Sequence, residues 1–457
     1  MPVYFAPRAL LAQGWTHNVR LEVNAQGTLV AIDPNAGAQG AETLAGPVLP
    51  AMANLHSHAF QRAMAGLTEV FGDPKDSFWT WREVMYRMVQ RLSPDQVGII
   101  ARQLYIEMLK GGYSQVAEFH YLHQDAQGHA YAHPAEMALR ISQAAAESGI
   151  GLTLLPVLYT YGGFGEQAAT PGQRRFIQDT DGYLRQQQAL QAHLSGQPRQ
   201  RLGLCFHSLR AVGARQIHEV LQASPPDAPV HIHVAEQIKE VEDCLAWSGA
   251  RPVRWLMDQV GVDERWCLIH ATHLDKAELD SLARSGAVAG LCPTTEANLG
   301  DGIFPAADYF SQGGRWGIGS DSHVSLNVVE ELRWLEYGQR LRDRRRNRLA
   351  DALHPSLGDN LYLAALRGGA QACGVPLGAL AVGMRADWLV LDGDDPYIDA
   401  TADGDLLNRW LFAGGPGQIR DVFVAGRRVI SDGHHALERE SARAFAQVLR
   451  ELRREAA

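Results

Sequence analysis

The chain has 457 residues, of which 46% are hydrophobic and 20% charged, as in an ordinary globular protein. Its 51 acidic and 42 basic residues give a net charge of −9, which argues against nucleic acid and anionic membrane as partners. The sequence has no secretory leader, no run of about 20 apolar residues, and five scattered cysteines without a Cys-x-x-Cys pair, so we expect a cytoplasmic protein.

The two ends of the chain predict one small β domain. Up to about residue 47, short apolar stretches broken by turns ("VYFAPRALL", "NVRLEV", "GTLVAI") are typical of strands, and "GMRADWLVLD" and "IRDVFVAGRRVI" repeat this pattern near the C-terminus. We expect residues 1–47 and 375–435 to form a β-sandwich domain, with residues 48–374 inserted between them. Residues 436–457 alternate apolar and charged side chains at helical spacing and predict a final helix.

The inserted part alternates short buried strands with amphipathic helices such as "PAEMALRISQAAAESG". Eight segments are strand candidates: "GPVLPAMANL", "YSQVAEFH", "IGLTLLPVLY", "RLGLCFHSL", "APVHIHVAE", "RWCLIHATH", "AVAGLCP" and "WGIGSDSH". Repeated βα units indicate a parallel sheet, and eight of them favour an α/β fold of the (β/α)8 TIM-like barrel type. A dinucleotide-binding open sheet is disfavoured because no Gly-x-Gly-x-x-Gly follows the first strand.

Two histidines end the first barrel strand, in "NLHSHAFQ". In an extended strand residues i and i+2 share a face, so His56 and His58 project together. Two neutral imidazoles that converge on one point suit a transition metal. Alone, the pair is equally consistent with polar residues where a strand becomes a loop.

Three further strands end in residues of the same chemical kind. These are His233, followed three residues later by Glu236, in "VHIHVAEQ", His270 in "CLIHATHL" and Asp321 in "WGIGSDSH". Each alone has a structural explanation, as a core histidine or a helix N-cap. Because the C-terminal ends of barrel strands form one active-site face, their coincidence predicts a metal site there.

The lysines indicate how many ions the site holds. Two-metal hydrolases on this scaffold usually bridge their ions with a modified lysine on the fourth strand, but "RLGLCFHSL" has none, and none of the four lysines lies in a strand candidate. We therefore expect one divalent ion, which leaves a position for water and makes hydroxide available near neutral pH. Zinc is the expectation, while iron and manganese suit the same donors.

The combination "HSH…HVAE…IHATH…GSDSH" with a β domain from both chain ends resembles the mononuclear deaminase branch of the amidohydrolase superfamily. The resemblance implies metal ligands on four side chains: His56, His58, His233 and Asp321. It also implies that His270 hydrogen-bonds the water at the metal and that Glu236 carries a proton from that water to the substrate nitrogen. Glu236, His270 and Asp321 would thus form the catalytic group.

Three other histidines lie near this pattern. We expect His231, too deep in its strand, and His273, in the following loop, to have structural roles. His323 stands just past Asp321 and is expected to support the ligands from behind.

The sequence segments around these motifs narrow the resemblance to one family. "NLHSHAFQRAMAGLTE", "FWTWREVMYR", "EFHYLHQD", "FHSLRAV" and "CPTTEANLGDGIFPA" are similar to the formimidoylglutamate deiminase family of bacterial histidine degradation. That likeness implies a small dicarboxylate substrate, N-formimidoyl-L-glutamate, and a homodimer. It places five residues along the substrate: Gln61, Arg82, Tyr121, His207 and Arg210. Arginines suit this role because they bind carboxylates through two parallel hydrogen bonds.

Other functions stay open. The aromatic residues of "FWTWREVMY" keep a purine deaminase, for guanine or an adenosine derivative, as the alternative, although Thr294, Thr295 and Glu296 replace the Ser-Asn that other deaminases of the branch carry. A hydrolase of cyclic amides is disfavoured by the lysines, and a non-catalytic scaffold by the complete set of site residues. The insertion at residues 72–92 is a candidate lid or part of the pocket wall.

Overall fold

The structure is a computed structural model that describes residues 1–70 and 76–454. Within them, two sheets of nine strands each are flanked by helices. One sheet is formed by the middle of the chain and the other by its two ends. This is the predicted architecture, an α/β barrel with a small β domain made from both ends.

The barrel strands run parallel in the order β14-β13-β12-β11-β10-β8-β7-β6, with the short β9 beside β8. Their bounds are β6 Met52–Ser57, β7 Tyr113–His120, β8 Gly151–Leu158, β9 Gln200–Leu202, β10 Leu204–Ser208, β11 Val230–Val234, β12 Trp266–His270, β13 Val288–Leu291 and β14 Arg315–Ile318. All eight strand candidates are therefore strands. They are buried along nearly their whole length, as expected of parallel strands that helices cover.

The helices lie between and around these strands. Their bounds are α1 Phe78–Val89, α2 Pro94–Lys110, α3 Glu136–Ser148, α4 Thr180–Leu194, α5 Ala214–Ala223, α6 Ile238–Ser248, α7 Pro252–Gln259, α8 Lys276–Ser285, α9 Pro293–Leu299, α10 Ala306–Ser311, α11 Val328–Asp343, α12 Leu357–Cys373, α13 Pro396–Asp399, α14 Asp403–Ala413 and α15 Glu438–Arg454. Three 3-10 turns occupy Ala59–Met64, Pro171–Gln173 and Pro416–Gln418. No described helix is long and apolar enough to cross a membrane.

The small domain is one mainly antiparallel sheet in the order β18-β17-β16-β15-β5-β1-β2-β3, with β4 beside β1. Its strands are β1 Val3–Leu11, β2 Gly14–Val23, β3 Leu29–Asp33, β4 Glu42–Thr43, β5 Val48–Pro50, β15 Trp388–Leu391, β16 Ile419–Val424, β17 Arg427–Ser431 and β18 His434–His435. The N-terminal half meets the C-terminal half where β5 pairs with β15. Tyr4, Trp388 and Phe423 pack edge-on or stacked at the centre of its separate core.

Helix α1 follows the first barrel strand and carries the described part of the insertion. Ser77 caps its N-terminus, and the buried Arg175 fixes its C-terminal end by donating to the carbonyl oxygens of Val89 and Leu92. Residues 72–75 of the candidate lid lie outside the described residues. The lid role stays a prediction, as do the domain boundaries at residues 47 and 375. The last N-terminal strand of the small sheet runs on to Pro50.

Candidate metal centre and active site

The barrel closes at the end that carries the His-x-His pair. Its first and last strands meet through hydrogen bonds from the amides of Ser320 and Asp321 to the carbonyl of His56, at 3.1 and 3.0 Å, and from the His58 amide to the Asp321 carbonyl at 3.3 Å. The backbone that completes the sheet therefore also fixes three of the predicted ligands relative to one another.

The four predicted ligands lie close together, with His56 at the centre of the measured contacts. His56 Nε2 lies 3.0 Å from His233 Nε2, and Asp321 Oδ1 lies 3.3 Å from His56 Nε2 and 3.4 Å from His58 Nε2. A tetrahedral ion with bonds of about 2.1 Å holds its ligand atoms about 3.4 Å apart. Three imidazole nitrogens and a carboxylate oxygen at these separations fit a zinc-like ion.

Hydrogen bonds behind the imidazoles fix which nitrogen faces this point. His58 Nδ1 lies 2.8 Å from the carbonyl of Phe119, and His233 Nδ1 lies 3.0 Å from the carbonyl of His207. A carbonyl only accepts, so each Nδ1 carries a hydrogen and each Nε2 presents its lone pair. The lone pairs of His58 and His233 are thus directed as a cation requires, and the buried Nδ1 of His56 has no hydrogen-bond partner among the described residues.

Burial keeps these histidines neutral, which metal binding requires. Burial and the neighbouring imidazole of His56 lower the pKa of His58 to about 3, although Asp321 opposes the shift. Burial, with other imidazoles close by, also places the pKa values of His56 and His233 well below the usual range.

Glu118 supports the His-x-His segment from behind. This buried carboxylate, on β7, accepts hydrogen bonds from Ser57 Oγ at 2.5 Å, the Ala59 amide at 2.6 Å and Tyr105 OH at 3.1 Å. Burial raises its pKa to about 7, although these donors oppose the shift. Glu118 was not predicted from the sequence, although a carboxylate inside the buried strand "YSQVAEFH" signals such a role, because a buried charge needs partners.

Glu236 and His270 lie beside the predicted ligands. His270 Nε2 is 3.7 Å from Glu236 Oε1 and 3.7 Å from Asp321 Oδ2. Burial, with Asp321 alongside, raises the pKa of Glu236 to about 7, although His270 opposes this. A carboxylate with a pKa near neutrality both accepts and returns a proton readily, which suits the predicted shuttle.

Glu296 orients His270 from its other side. Its Oε1 lies 3.3 Å from His270 Nδ1 and accepts from the Cys292 amide at 2.9 Å. Burial alone would lower the pKa of His270, but Glu236, Glu296 and Asp321 together raise it to about 10. Glu296 belongs to the segment of residues 294–296 that replaces the Ser-Asn motif of other deaminases. This difference was the only sequence signal for the role of Glu296.

The backbone at these strand ends has unusual dihedrals. His270 has φ +68° and Asp321 has φ +44°, and Ala235, Ala271 and His323 also have positive φ. Side chains other than glycine occupy this region at a cost of about 1–3 kcal/mol each, and such residues concentrate at functional sites. The surrounding hydrogen bonds hold the residues there.

A pocket of about 530 Å³, measured out to its mouth, opens onto this cluster. The predicted site residues on its wall are His58, Gln61, Arg82, Tyr121, His207, Arg210, His233, Glu236, His270 and Asp321. Aromatic and apolar side chains complete the wall: Phe78, Trp81, Met85, Tyr86, Tyr159, Phe176 and Leu299. Most of these seven come from α1 and from loops, and sequence reasoning assigned them no individual role.

Two arginines stand in the pocket without an acidic partner among the described residues. The Nε atoms of Arg82 and Arg210 are buried and have no hydrogen-bond partner there. Arg82 stacks on Trp79 at 4.6 Å and on Tyr86 at 5.3 Å, and Arg210 lies 5.7 Å from the Trp79 ring. Guanidinium groups that aromatic rings hold in place, but no carboxylate satisfies, are suited to an anionic ligand.

The other three residues predicted to line the substrate, Gln61, Tyr121 and His207, also lie on the pocket wall. Gln61 Nε2 donates to Tyr121 OH at 2.9 Å, and the buried Gln61 Oε1 has no partner in the described part of the chain. His207 packs on Tyr159 with ring centres 4.3 Å apart, and its Nδ1 lies 3.0 Å from Ser208 Oγ. Burial, with Arg210 nearby, lowers the pKa of His207 well below its usual range.

The three additional histidines lie outside the pocket wall. His231 Nε2 donates to the Ala372 carbonyl at 2.8 Å, and His273 Nε2 donates to the Asp301 carbonyl at 2.8 Å. His323 lies between Ser320 Oγ, at 3.0 Å from Nδ1, and Ser57 Oγ, at 3.4 Å from Nε2. Their surroundings agree with the structural and supporting roles expected of them.

Comparisons with known proteins extend this description. The family model described as the amidohydrolase family matches residues 48–429, and the one described as the N-terminal domain of the formimidoylglutamate deiminase HutF matches residues 1–46. The chain is 67% identical to a formimidoylglutamate deiminase from Pseudomonas aeruginosa over 453 residues, which are 99% of this chain and 100% of that protein. It is 26% identical to a 5-methylthioadenosine/S-adenosylhomocysteine deaminase from Natronomonas pharaonis, over 94% of this chain and 92% of the relative.

Among solved structures, an amidohydrolase from Brucella melitensis superposes with a TM-score of 0.94 at 46% identity, over 99% of this chain and 100% of that one. An adenosine deaminase from Xanthomonas campestris with bound zinc superposes with a TM-score of 0.81 at 20% identity, over 99% and 98%. The second likeness concerns the fold alone.

Proposed function

The chain belongs to the amidohydrolase family, and we propose on that premise that it hydrolyses N-formimidoyl-L-glutamate to N-formyl-L-glutamate and ammonia. One observation carries the proposal from the geometry: a single pocket opens onto the His/Asp cluster and holds two guanidinium groups that have no acidic partner among the described residues. The cluster supplies hydrolytic chemistry, and the guanidiniums match a substrate with two carboxylates. The likeness at 67% identity to a formimidoylglutamate deiminase supports the same substrate.

We propose that the ligands of one divalent ion are His56, His58, His233 and Asp321. The fit rests on the Nε2 lone pairs that His58 and His233 present and on the neutral state that burial imposes on the imidazoles. Three nitrogens and one oxygen favour zinc. A bound ion of this kind lowers the pKa of water towards neutrality and so provides hydroxide for attack on the amidine carbon.

The protein's own side chains then move the protons. Water adds its oxygen to the amidine carbon while Glu236 accepts a proton from it. Glu236 returns this proton to the terminal nitrogen, whose bond to the carbon becomes single, and then transfers the remaining hydroxyl proton to the same nitrogen. The carbon–nitrogen bond breaks, ammonia leaves, and the oxygen becomes the carbonyl of the formyl group. His270, fixed by Glu296, points its Nε2 at the attacking oxygen and stabilises the charge that develops there.

The substrate carboxylates bind at the other end of the pocket. Arg82 and Arg210 pair with them, and Tyr121 OH, which accepts from Gln61, keeps its own proton for a carboxylate oxygen. His207 is neutral and completes the polar wall. This end contributes affinity and orientation, because it lies away from the bonds that break.

A purine deaminase is the alternative, since Phe78, Trp81 and Phe176 offer aromatic surface in the same pocket. The arginines weigh against it, because a neutral base would leave two guanidiniums whose buried Nε atoms have no hydrogen-bond partner among the described residues. The homodimer and the cytoplasmic location stay predictions. The five cysteines are free and buried.

The test is ammonia release from N-formimidoyl-L-glutamate by the zinc-loaded protein, with guanine and adenosine as parallel substrates. We expect release from formimidoylglutamate alone. Release only from a purine would retain the proposed metal site and refute the proposed substrate. No release from any of them, with one zinc bound, would refute the deaminase proposal.

A further inference from the structure

More carboxylates surround His270 than the proposed reaction uses. Glu236 Oε1 and Asp321 Oδ2 lie 3.7 Å from its Nε2, and Glu296 Oε1 lies 3.3 Å from its Nδ1. Asp301 is a fourth. One ligand atom each from Glu236, His270 and Asp301 lie within 4.8 Å of one another, and all three residues are buried.

Asp301 has an oxygen that the described structure leaves unused. Gln237 donates to its Oδ1, while its Oδ2 is buried and has no hydrogen-bond partner among the described residues. The residue as a whole is 5% exposed. Its backbone is fixed, because its amide donates to the Glu296 carbonyl at 2.9 Å and its carbonyl accepts from His273.

The charge around His270 is unbalanced. The proposed ion at the histidines compensates the charge of Asp321. The carboxylates of Glu236, Glu296 and Asp301 then face a single imidazole, that of His270. Burial and the nearby Glu236 raise the pKa of Asp301. A divalent cation compensates this concentration of buried carboxylates.

We propose that Glu236, His270 and Asp301 form a second, weaker site for a divalent transition-metal cation, and that filling it inhibits the enzyme. One imidazole nitrogen and two carboxylate oxygens are donors that zinc accepts. Glu236 and His270 line the pocket, so a cation reaches the site from there, and Asp301 closes it from behind. The cation engages the carboxylate that would otherwise transfer the proton.

Zinc binding tests the site without substrate. Protein loaded with one equivalent of zinc is dialysed against rising free zinc, and the bound metal is measured for the wild type, Asp301→Asn and the exposed control Asp308→Asn. We expect the wild type and the control to take up a second zinc. Asp301→Asn should keep the first ion and bind the second at least about 10-fold more weakly, since losing even an outer partner of a ligand costs that much.

Anomalous diffraction at the zinc edge of wild-type crystals soaked in excess zinc locates the second ion independently of any variant. A peak between Glu236, His270 and Asp301 is the expected result. A wild type that shows no peak there, or an Asp301→Asn protein that binds the second zinc as tightly as the wild type, would overturn the proposal.

The inhibitory effect rests on the proposed function and is measured separately. Excess zinc should slow ammonia release by the wild type and by Asp308→Asn, and Asp301→Asn should need at least about 10-fold more zinc for the same slowing. A filled second site without slowing would overturn the inhibitory part. If formimidoylglutamate is not hydrolysed at all but the second ion binds, the proposed function fails and the site stands.

Discussion

The histidine end of the pocket (His56, His58, His233 and Asp321) stands on three strand ends, two of which are hydrogen-bonded to each other, whereas the arginine end (Arg82 and Arg210) stands on helix α1 and the loop after β10. At the histidine end, backbone carbonyls hold two of the imidazoles from behind. At the arginine end, the buried Nε atoms have no hydrogen-bond partner among the described residues.

This difference separates chemistry from recognition. An ion needs ligands within a few tenths of an ångström of their bound positions, so its end is rigid before binding. A flexible dicarboxylate tolerates more adjustment, and its recognition depends on charge that is left uncompensated until it arrives. Variants at the two ends should therefore differ in which quantity they change: metal content and kcat at the histidine end, and KM at the arginine end.

Asp321→Asn should have the largest effect, because it removes a ligand and the negative charge of the histidine end. We expect metal content to fall below one ion per chain after dialysis and activity to fall by more than about 100-fold, the upper range for loss of an outer partner. Elemental analysis and ammonia release measure both, with Asp308→Asn as control. Full metal content in Asp321→Asn would show that this residue is not a ligand.

Glu236→Gln should retain the metal and lose turnover. It removes proton transfer only, which contributes about 10²- to 10⁴-fold in such reactions. The exposed Glu219→Gln controls for the substitution itself. Wild-type kcat in Glu236→Gln would rule out the proposed proton shuttle.

Arg210→Met should weaken substrate binding at the arginine end and leave the histidine end unchanged. Hydrogen bonds to charged groups contribute about 1.5–3 kcal/mol, so we expect KM to rise about 10- to 150-fold with little change in kcat and none in metal content. The exposed Arg215→Met is the matched control. A fall in kcat at unchanged KM would place Arg210 in the chemistry rather than in binding.

Glu118→Gln tests whether the histidine end owes its rigidity to support from behind. The amide presents hydrogens to at least one of the groups that donate to the carboxylate, Ser57, Ala59 or Tyr105, so the His-x-His segment should shift. We expect zinc affinity to fall about 10- to 100-fold in competition with a chelator. Activity should return at saturating zinc, and a loss that zinc does not reverse would contradict a positioning role. Tyr105→Phe removes one donor and should have the smaller effect.

The pH dependence of stability tests the structural role of His231, which lies two residues before His233 on the same strand. Burial lowers the pKa of His231 to about 4 in the fold, against about 6.5 when unfolded. Its neutral form is therefore stabilising above pH 6.5, and this contribution is lost as the pH falls towards 4, at up to about 1.4 kcal/mol per pH unit. In the metal-free protein, His231→Gln should flatten the fall in the free energy of unfolding between pH 6.5 and 5. Equal slopes in urea titrations of both proteins would show that His231 titrates normally.

Much of this molecule was accessible from the sequence because the signals are local. A strand of known direction ends at a known residue, so "VHIHVAEQ" and "WGIGSDSH" place His233 and Asp321 on one face without any knowledge of the neighbouring strands. The eight strands and the β domain from both chain ends followed in the same way.

What the sequence did not predict depends on neighbours distant in the chain. Glu118 acts on Ser57 and Ala59 only because β6 and β7 are adjacent, and Glu296 reaches His270 only because α9 begins directly after β13. Asp301 is placed by the left-handed turn at Gly300 that ends α9. Contacts of this kind are set by how loops fold over the barrel, which periodicity and spacing do not encode.

The small sheet can be completed only late in the synthesis of the chain. Its halves join where β5, at Val48–Pro50, pairs with β15, at Trp388–Leu391, and where residues 27–29 bond to residues 383–386, so the first half leaves the ribosome more than 300 residues ahead of its partner. Until then the strand edge of β5 is open and available for wrong pairing with other chains. The barrel, complete in sequence earlier, is free to fold first and hold β5 in place through the adjoining β6. Closure of the small sheet then becomes a late step that reports the arrival of an intact C-terminus.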